Sequence, residues 1–184
     1  MDYQTAYKII FYIFIQIMWE IVQSAWGIVY YLDSNWEPKY LIIKRHALSG
    51  KIEWVAPKWK LKQWEEMQTT ALREVSEETW IPLNQMKMKQ RIWTTSLRSS
   101  ETKKWQLDKD VTYFLVQYYG NPEDVNIIQW EWYIGNHKWA TITEILSLVY
   151  YEDIRELFRK TYLIIKEHKK NSDIKKEFMN KLDL

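Results

Sequence analysis

The chain has no cysteine, and it has only four glycines and four prolines among 184 residues. The lack of cysteine excludes disulfide bonds, thiolate metal sites and cysteine nucleophiles, and it is compatible with the cytoplasmic location that we expect. An excess of one charge is also missing, since 26 basic residues face 24 acidic ones. This balance gives no reason to expect nucleic acid or an anionic membrane as a stable partner, and nothing in the sequence indicates the oligomeric state.

The composition that remains is typical of one soluble globular domain. Hydrophobic residues make up 47% of the chain and charged residues 27%, and the length allows one domain with a sizeable core. The most apolar run, residues 9–18, is shorter than the roughly 20 residues of a membrane-spanning helix, and Glu20 follows it. We expect an extra strand or a packed helix there. A membrane anchor or signal peptide, and translation starting at Met18, are the alternatives.

Three segments divide the chain by composition. They are an apolar extension, a domain and a charged tail, at residues 1–19, 20–168 and 169–184. Within the domain, short β-rich runs bounded by turn residues predict strands at 21–32, 39–44, 52–56, 86–97 with a turn near residue 93, 110–119, and 138–141. Loops are expected at 98–109 and 121–137.

Helices are predicted at residues 65–79, 143–148 and 151–168. The second is expected to be capped by Thr143, and the third to face inward through Ile154, Leu157, Phe158 and Leu163.

The helix predicted at 65–79 contains the most informative chemistry of the sequence. Apolar residues recur at every fourth position from Met67 to Val75, which predicts a face that packs on a core. Glu78 falls within this stripe and Glu74 borders it, because residues three and four apart share one side of a helix. We therefore expect two carboxylates that point inward.

A third acid, Glu77, lies one turn from Glu74, so like charges repel along this helix. Two of the acids are also near the helix C-terminus, where the macrodipole disfavours anions. A bound cation would relieve both effects, and oxygen ligands of this charge density suit Mg²⁺ or Mn²⁺. The alternative interpretation is a solvated charged face.

The stretch around this helix, residues 57–81, reads P-K-W-K-L-K-Q-W-E-E-M-Q-T-T-A-L-R-E-V-S-E-E-T-W-I. It resembles the Nudix box, G-x5-E-x7-R-E-U-x-E-E-x-G-U, in which U is aliphatic. The non-glycine positions of that motif are all matched at the correct spacing, by Glu65, Arg73, Glu74, Val75, Glu77, Glu78 and Ile81.

The resemblance covers about residues 20–168 and implies an α/β/α sandwich with a mixed sheet. It also implies hydrolysis of a nucleoside diphosphate linked to another group, with a divalent metal and water. The implied metal ligands are Glu74 and Glu78, supported by Glu77 and by the backbone carbonyl of Trp59. Arg73 would orient the carboxylates and Glu65 would brace the loop. The general base would be Glu74 or Glu131. For Glu131, the alternative interpretation is that it is an acid exposed to solvent in a loop, without a catalytic role.

Two further segments resemble the branch of the family that hydrolyses dinucleoside polyphosphates. These are Ala56-Pro57-Lys58 and residues 109–115, K-D-V-T-Y-F-L. Lys58, Lys109 and Tyr113 would then bind phosphates. An equally good interpretation is that the two lysines are solvent-exposed and that the tyrosine lies at the edge of the core, none of them with a role in binding. We expect a dinucleoside tetraphosphate as substrate, or else a modified nucleoside triphosphate. A catalytically silent binding module that stacks bases or a partner on exposed tryptophans is the competing function.

Tryptophan occupies three positions of the box region where glycine is expected: 59 and 80, the motif's two glycines, and 64 in a turn. Each position asks for a backbone that glycine adopts most readily. Ordinary usage predicts about 13 glycines in a chain of this length, whereas it has 4 glycines and 12 tryptophans. Trp26, Trp36 and Trp105 also lie in contexts that suit a turn glycine.

One hypothesis explains both the shortage and the excess: the gene uses a code in which UGA means glycine, and it was translated with a table in which UGA means tryptophan. The alternative is a genuinely tryptophan-rich protein with a decayed box. Trp54 and Trp139 are expected to be genuine, because the family often has tryptophan before its P-K-G segment and in a strand after the box.

Overall fold

A computed structural model describes residues 22–47, 50–60, 66–97, 109–127 and 133–182. The side chains at positions 22, 58–60, 97, 109, 133 and 181–182 are not part of that description. Several features predicted from the sequence lie outside the described residues. They are the apolar run at 9–18, most of the loop at 98–109, Trp64, Glu65, Trp105 and Glu131.

Seven strands and three α-helices occur in the described part of the chain. The strands are β1 (Val22–Leu32), β2 (Pro38–His46), β3 (Ile52–Val55), β4 (Lys58–Lys60), β5 (Met86–Leu97), β6 (Lys109–Tyr118) and β7 (Tyr133–Ala140). The helices are α1 (Met67–Thr79), α2 (Ile142–Leu148) and α3 (Glu152–Leu182). Two 3₁₀ turns are present at Leu83–Gln85 and Pro122–Asp124.

The described strands form one mixed sheet in the order β3-β2-β1-β6-β5, with β4 paired to β1 and β7 paired to β2. The pair β1 and β6 is parallel, and the other pairs are antiparallel. Both faces of β1 are buried, since Ile28 and its neighbour Val29 belong to clusters on opposite sides of the sheet. A central strand with helices on both faces is expected to read as a continuous apolar run.

The helices cover the two faces of the sheet. On one face, α1 packs through Ala71 and Val75, and on the other, α2 and α3 pack through Ile145 and Phe158. The predicted α/β/α sandwich with a mixed sheet is therefore confirmed. The close approach of α1 to β1 depends on Gly27, because an added Cβ there would lie 2.7 Å from Cγ2 of Val75.

Two strands differ from their predictions. The predicted turn near residue 93 is wrong: β5 continues through it, and the pairing with β6 shifts between Met88 and Gln90 and between Arg91 and Trp93. Such β-bulges break the alternation of side chains, which imitates a turn in the sequence. The last strand begins at Tyr133 rather than 138, because Gly135 and Asn136, which suggest a loop, lie within β7.

Two predictions about the helices also differ from the structure. Thr141, not Thr143, caps α2, because its side chain accepts a hydrogen bond from the backbone N–H of Glu144, whose carboxylate bonds back to Thr141. Leu163, predicted to face inward, is 67% exposed. Thr161 and Ile165 fill the interior at that turn.

The third helix extends beyond the predicted range of 151–168, since α3 continues as far as Leu182 through the charged tail, for which a helix was one expectation. The segment at 171–180, which lies in the predicted tail, is exposed along its whole length. The proposed boundary between domain and tail at 168–169 therefore falls inside one continuous helix and stays a prediction. None of the described helices is both long enough and apolar enough to cross a membrane.

Candidate active site

The inward face of α1 holds two buried carboxylates. Glu74 is 7% exposed and Glu78 is 6% exposed, on the same side of the helix as the fully buried Ala71 and Val75. This arrangement confirms the prediction made from the helical period. Burying two carboxylates costs free energy unless cationic groups or hydrogen bonds compensate. The acids on this face of α1 therefore need polar or cationic partners.

Arg73 pairs with two acids of α1, one buried and one exposed. Its guanidinium forms one ion pair with Glu74 and another with Glu77, with Nη1 at 2.7 Å from Oε2 of Glu77. The side chain of Glu77 is 54% exposed, in contrast to the other two acids. Arg73 therefore joins the buried and the exposed acids.

Helix α1 ends at a residue in the left-handed conformation, Trp80, with φ 55° and ψ 15°. This is the position that favours glycine at helix C-termini. The last turn of α1 contains no basic residue. The loop after β6 meets the helix end, where the backbone N–H of Asn126 donates to the carbonyl of Thr79 at 3.3 Å.

Position 59 lies beside α1 and next to the central strand. Trp59 belongs to β4 and pairs with Ala25 of β1, and α1 is close to β4. A backbone carbonyl from this strand is thus available near the carboxylate helix. Lys58 pairs with Trp26 in the same ladder, whereas Lys109 lies at the start of β6, opposite Val22.

Tyr113 lies on the face of the sheet opposite α1. Its neighbour Phe114 packs with Ala71, and successive residues of a strand point to opposite faces. The Tyr113 ring is 4% exposed and meets the edge of Trp26, with ring centroids 5.1 Å apart. Burial, and to a lesser extent the charge of Asp153, raises the pKa of the Tyr113 hydroxyl, which keeps it a neutral hydrogen-bond donor.

The structure thus brings together only part of the predicted site. Glu74, Glu78 and Arg73 share one helix beside position 59, while Tyr113 is on the other face of the sheet and Lys109 is at the first residue of β6. Within the described residues, no cluster of three or more His, Cys, Asp or Glu side chains has an arrangement that could hold a metal ion. The remaining predicted acids, Glu65 and Glu131, are in segments outside that description.

A NUDIX domain model matches residues 22–161, which is most of the chain and includes all seven strands and α1. The chain belongs to the Nudix family. The family assignment accounts for the box resemblance, for the sheet order and for the helix that presents Glu74 and Glu78. The prediction of the family from the box residues is confirmed.

Solved structures of the Nudix fold are similar to this chain. An Ap4A hydrolase from C. elegans in a binary complex has a TM-score of 0.64 and 21% identity, covering 80% of this chain and 99% of that one. The NUDIX domain of Shewanella oneidensis NrtR, complexed with ADP ribose, has a TM-score of 0.61 and 13% identity over 79% and 89% of the two chains. The E. coli dihydroneopterin triphosphate pyrophosphohydrolase has a TM-score of 0.59 and 14% identity, covering 78% of this chain and 99% of that one.

At these identities, the three structures establish the Nudix fold and nothing finer. A search of curated proteins found no significant match to the sequence.

The sequence did not single out a second feature of the fold. Trp93 of β5 and Lys160 of α3 line a cavity on the face of the sheet away from α1. They are far apart in the sequence, so no local motif connects them. Only the packing of α3 on β5 and β6 brings them together.

Proposed function

We propose that this Nudix protein hydrolyses a phosphoanhydride bond of a nucleoside polyphosphate with the help of Mg²⁺ or Mn²⁺. The observation that carries the proposal is the pair of carboxylates, Glu74 and Glu78, buried on the inward face of α1. An acid face of this kind has little structural benefit, since apolar residues would fill the same space at lower cost.

The residues present fit a divalent cation. Glu74 and Glu78 supply hard oxygen donors on a rigid helix, and the backbone carbonyl at position 59 is on the adjacent strand. Glu77 would support them from the exposed side through Arg73. When bound, the cation would neutralise charge on the phosphate oxygens and make an attacking water more acidic.

The protein's own groups have separate tasks in this proposal. Arg73 holds Glu74 in one orientation, which keeps its carboxylate ready to accept a proton from water. Glu131 is the other candidate for that base. Glu65 would brace the loop before α1. The last two assignments rest on the box resemblance alone.

The proposed substrate is a dinucleoside tetraphosphate, with a modified nucleoside triphosphate as the second choice. The segments around Lys58, Lys109 and Tyr113 support this choice, and so does the similarity of the fold to an Ap4A hydrolase. In this proposal the two lysines contact phosphates as point charges. Tyr113, on the face opposite α1, would contact the part of the substrate that extends away from the carboxylates.

We further propose that several tryptophans of this chain are glycines in the natural protein. Among the described residues, four have positive φ: Gly50, Gly135, Trp36 and Trp80. The two non-glycine members of this group are both tryptophan, which supports UGA-glycine recoding. Trp26 and Trp59 do not support it, because Trp26 lies inside β1 and packs against Tyr113, and Trp59 lies in β4 rather than in a loop. The codons test the hypothesis directly, and UGG at positions 59, 64 and 80 would reject it.

The activity test uses the chain with Trp59→Gly, Trp64→Gly and Trp80→Gly combined. We expect Mg²⁺-dependent release of nucleotide from a panel of dinucleoside polyphosphates and nucleoside triphosphates. Adding Glu78→Gln should lower kcat about 10²-fold or more, the scale of losing a positioned catalytic group. Glu123→Gln, in an exposed turn, is the matched control and should leave kcat unchanged.

Full activity in the Glu78→Gln variant would reject the role of Glu78. Absence of any hydrolysis by the glycine-restored chain would favour the second function, a binding module without catalysis. That function is supported by the exposure of Trp36, Trp80 and Trp93, each more than half accessible to solvent. It predicts nucleotide binding that does not require a divalent cation.

A further inference from the structure

Four threonines in the described part of the chain have at most 1% of their surface exposed, namely Thr70, Thr79, Thr112 and Thr161. Three of their hydroxyl groups form hydrogen bonds within the protein. The hydroxyl of Thr79 donates to the carbonyl of Val75 at 2.5 Å, and those of Thr112 and Thr161 have partners at 3.1 Å and 2.8 Å. The hydroxyl of Thr70 is the exception, because it has no hydrogen-bond partner among the described residues.

An unpartnered hydroxyl in the interior is unfavourable, because it loses its hydrogen bonds to water and gains none in return. A threonine inside a helix can avoid this loss by donating to the carbonyl four residues earlier, as Thr79 does. At Thr70 the equivalent carbonyl, that of Glu66, accepts a hydrogen bond from the backbone N–H at 2.9 Å, and the hydroxyl does not share it. Buried polar groups of this kind typically bind water or an ion.

Thr70 lies on the side of α1 that carries the two buried carboxylates. It precedes Glu74 by four residues and Glu78 by eight, and all three side chains are buried. Residues four apart share one side of a helix, with about 5–6 Å between their Cβ atoms. One water molecule can bridge a hydroxyl and a carboxylate across such a gap. The position of Thr70 therefore indicates that its hydroxyl serves the same bound group as the carboxylates.

We propose that Thr70 is a positioning residue for the divalent cation, and that its hydroxyl accepts a hydrogen bond from a water of the hydrated ion held by Glu74 and Glu78. This inference rests on the proposed function, because it requires that cation. Mg²⁺ gives up its waters reluctantly and usually keeps several of them in proteins. A neutral hydroxyl is able to orient such a water without adding a third negative charge to the site.

Electron paramagnetic resonance of Mn²⁺ measures the affinity of the cation site without substrate or hydrolysis. The measurement uses the full chain as it stands and the glycine-restored chain. Thr70→Val keeps the shape of the side chain but removes the hydroxyl, and it should weaken Mn²⁺ binding about ten-fold, the scale of losing a group that orients a metal ligand. Thr70→Ser keeps the hydroxyl and should bind Mn²⁺ as the parent does.

Thermal unfolding in EDTA separates this role from a structural one. Without a cation, Thr70→Val should raise the unfolding midpoint by about 2–4 °C, because an apolar group replaces an unpartnered hydroxyl. Thr79→Val is the matched control, since Thr79 is in the same helix and equally buried. It should lower the midpoint, because the hydrogen bond to Val75 is lost, and it should leave the affinity for Mn²⁺ unchanged.

Unchanged Mn²⁺ affinity in Thr70→Val would overturn the role of Thr70 and leave the proposed function intact. An equal loss of affinity in Thr70→Ser and Thr70→Val would also overturn it, because the hydroxyl would not be the group responsible. A lower unfolding midpoint of Thr70→Val in EDTA would show that the hydroxyl serves the fold instead. If neither the parent nor the glycine-restored chain binds Mn²⁺, the proposed cation site and this inference fail together.

Discussion

The end of α1 and the last residues of β7 place tryptophan in two different physical settings. Trp80 follows the helix with φ 55° and has 68% of its surface in solvent, so the backbone is strained and the ring gains little. Trp139 lies in a regular strand, where its ring stacks on Tyr118 at 5.7 Å and meets the edge of Tyr31 at 4.9 Å. Its Nε1 donates to the carbonyl of Pro122 at 3.0 Å.

The difference shows how a structure can test whether a residue belongs at its position. At position 139 the size, the ring face and the N–H of tryptophan are all used. At position 80 the structure uses none of these properties of tryptophan. The main-chain conformation there is one that glycine adopts without cost. Trp54 resembles the first case, since it is partly buried against the core on the α3 side. Trp36 resembles the second.

The largest expected effect is at Trp139. Trp139→Gly should lower the free energy of unfolding by about 3–5 kcal/mol, the usual range for deleting a large packed aromatic side chain. Trp139→Phe keeps a ring but loses the hydrogen bond to Pro122, and should cost about 1 kcal/mol. Urea denaturation measures both. If the Trp139→Gly protein were as stable as the parent, the structure would not depend on tryptophan at position 139 any more than at position 80.

Trp80→Gly should instead raise the free energy of unfolding by about 1 kcal/mol, because left-handed backbone is strained for a residue with a Cβ. Trp80→Ala is the matched control. It removes the ring but retains the strain, and it should recover much less stability than glycine does. Equal gains from alanine and glycine would show that the ring, and not the backbone, is responsible.

A smaller gain, about 0.5 kcal/mol, is expected for Trp36→Gly. Trp36 has φ 61° in the turn where Asp33 accepts hydrogen bonds from the N–H groups of Asn35 and Glu37, both at 2.9 Å. The gain is reduced because the Trp36 ring also contacts Lys169, with 6.0 Å between Nζ and the ring centroid. Thermal unfolding of the single variants and of the Trp36→Gly, Trp80→Gly double variant should give additive shifts, since the sites share no partner.

The smallest expected effect on stability is at the start of α2, where side chains and backbone N–H groups form a regular helix cap. At the start of α2, hydrogen bonds from Lys138 and then from the N–H of Thr141 lower the pKa of Glu144 from 4.5 to about 2. A lowered carboxyl pKa stabilises the fold above about pH 4.5, and this contribution is lost as the pH falls toward 2.

Because 40% of the Glu144 side chain is accessible to solvent, which screens its charge, the contribution should be only a few tenths of a kcal/mol. An NMR titration of the Glu144 side-chain carboxyl measures the pKa. Its return to an ordinary value in Lys138→Met would confirm the cause, whereas an unchanged pKa in that variant would assign the shift to the cap instead.

Much of α1 could be predicted from the sequence. The 3.6-residue period alone placed Glu74 and Glu78 inward, and the structure buries both. The box spacing led to the family. Hydrophobicity alone failed at Leu163, which is exposed, because Thr161 takes an inward position in α3 and reaches the hydroxyl of Tyr40 at 3.4 Å.

Irregular elements were harder to predict. The bulges of β5 resemble a turn because they interrupt the alternation of side chains, and Gly135 within β7 resembles a loop because glycine is the usual turn residue. Both segments are held in the sheet by pairing with distant strands. Such pairing leaves no mark on the local sequence.

The sequence by itself determined the carboxylate helix, the family and the helix end at which Trp80 conflicts with the backbone, because each depends on spacing within a few turns of chain. The tertiary structure decided which tryptophans are used, because stacking on Tyr118 and Tyr31 joins residues from three strands. It also formed the cavity at Trp93, whose walls come from β5, β6 and α3. Contacts of this kind depend on how layers pack, and residue order alone does not encode them locally.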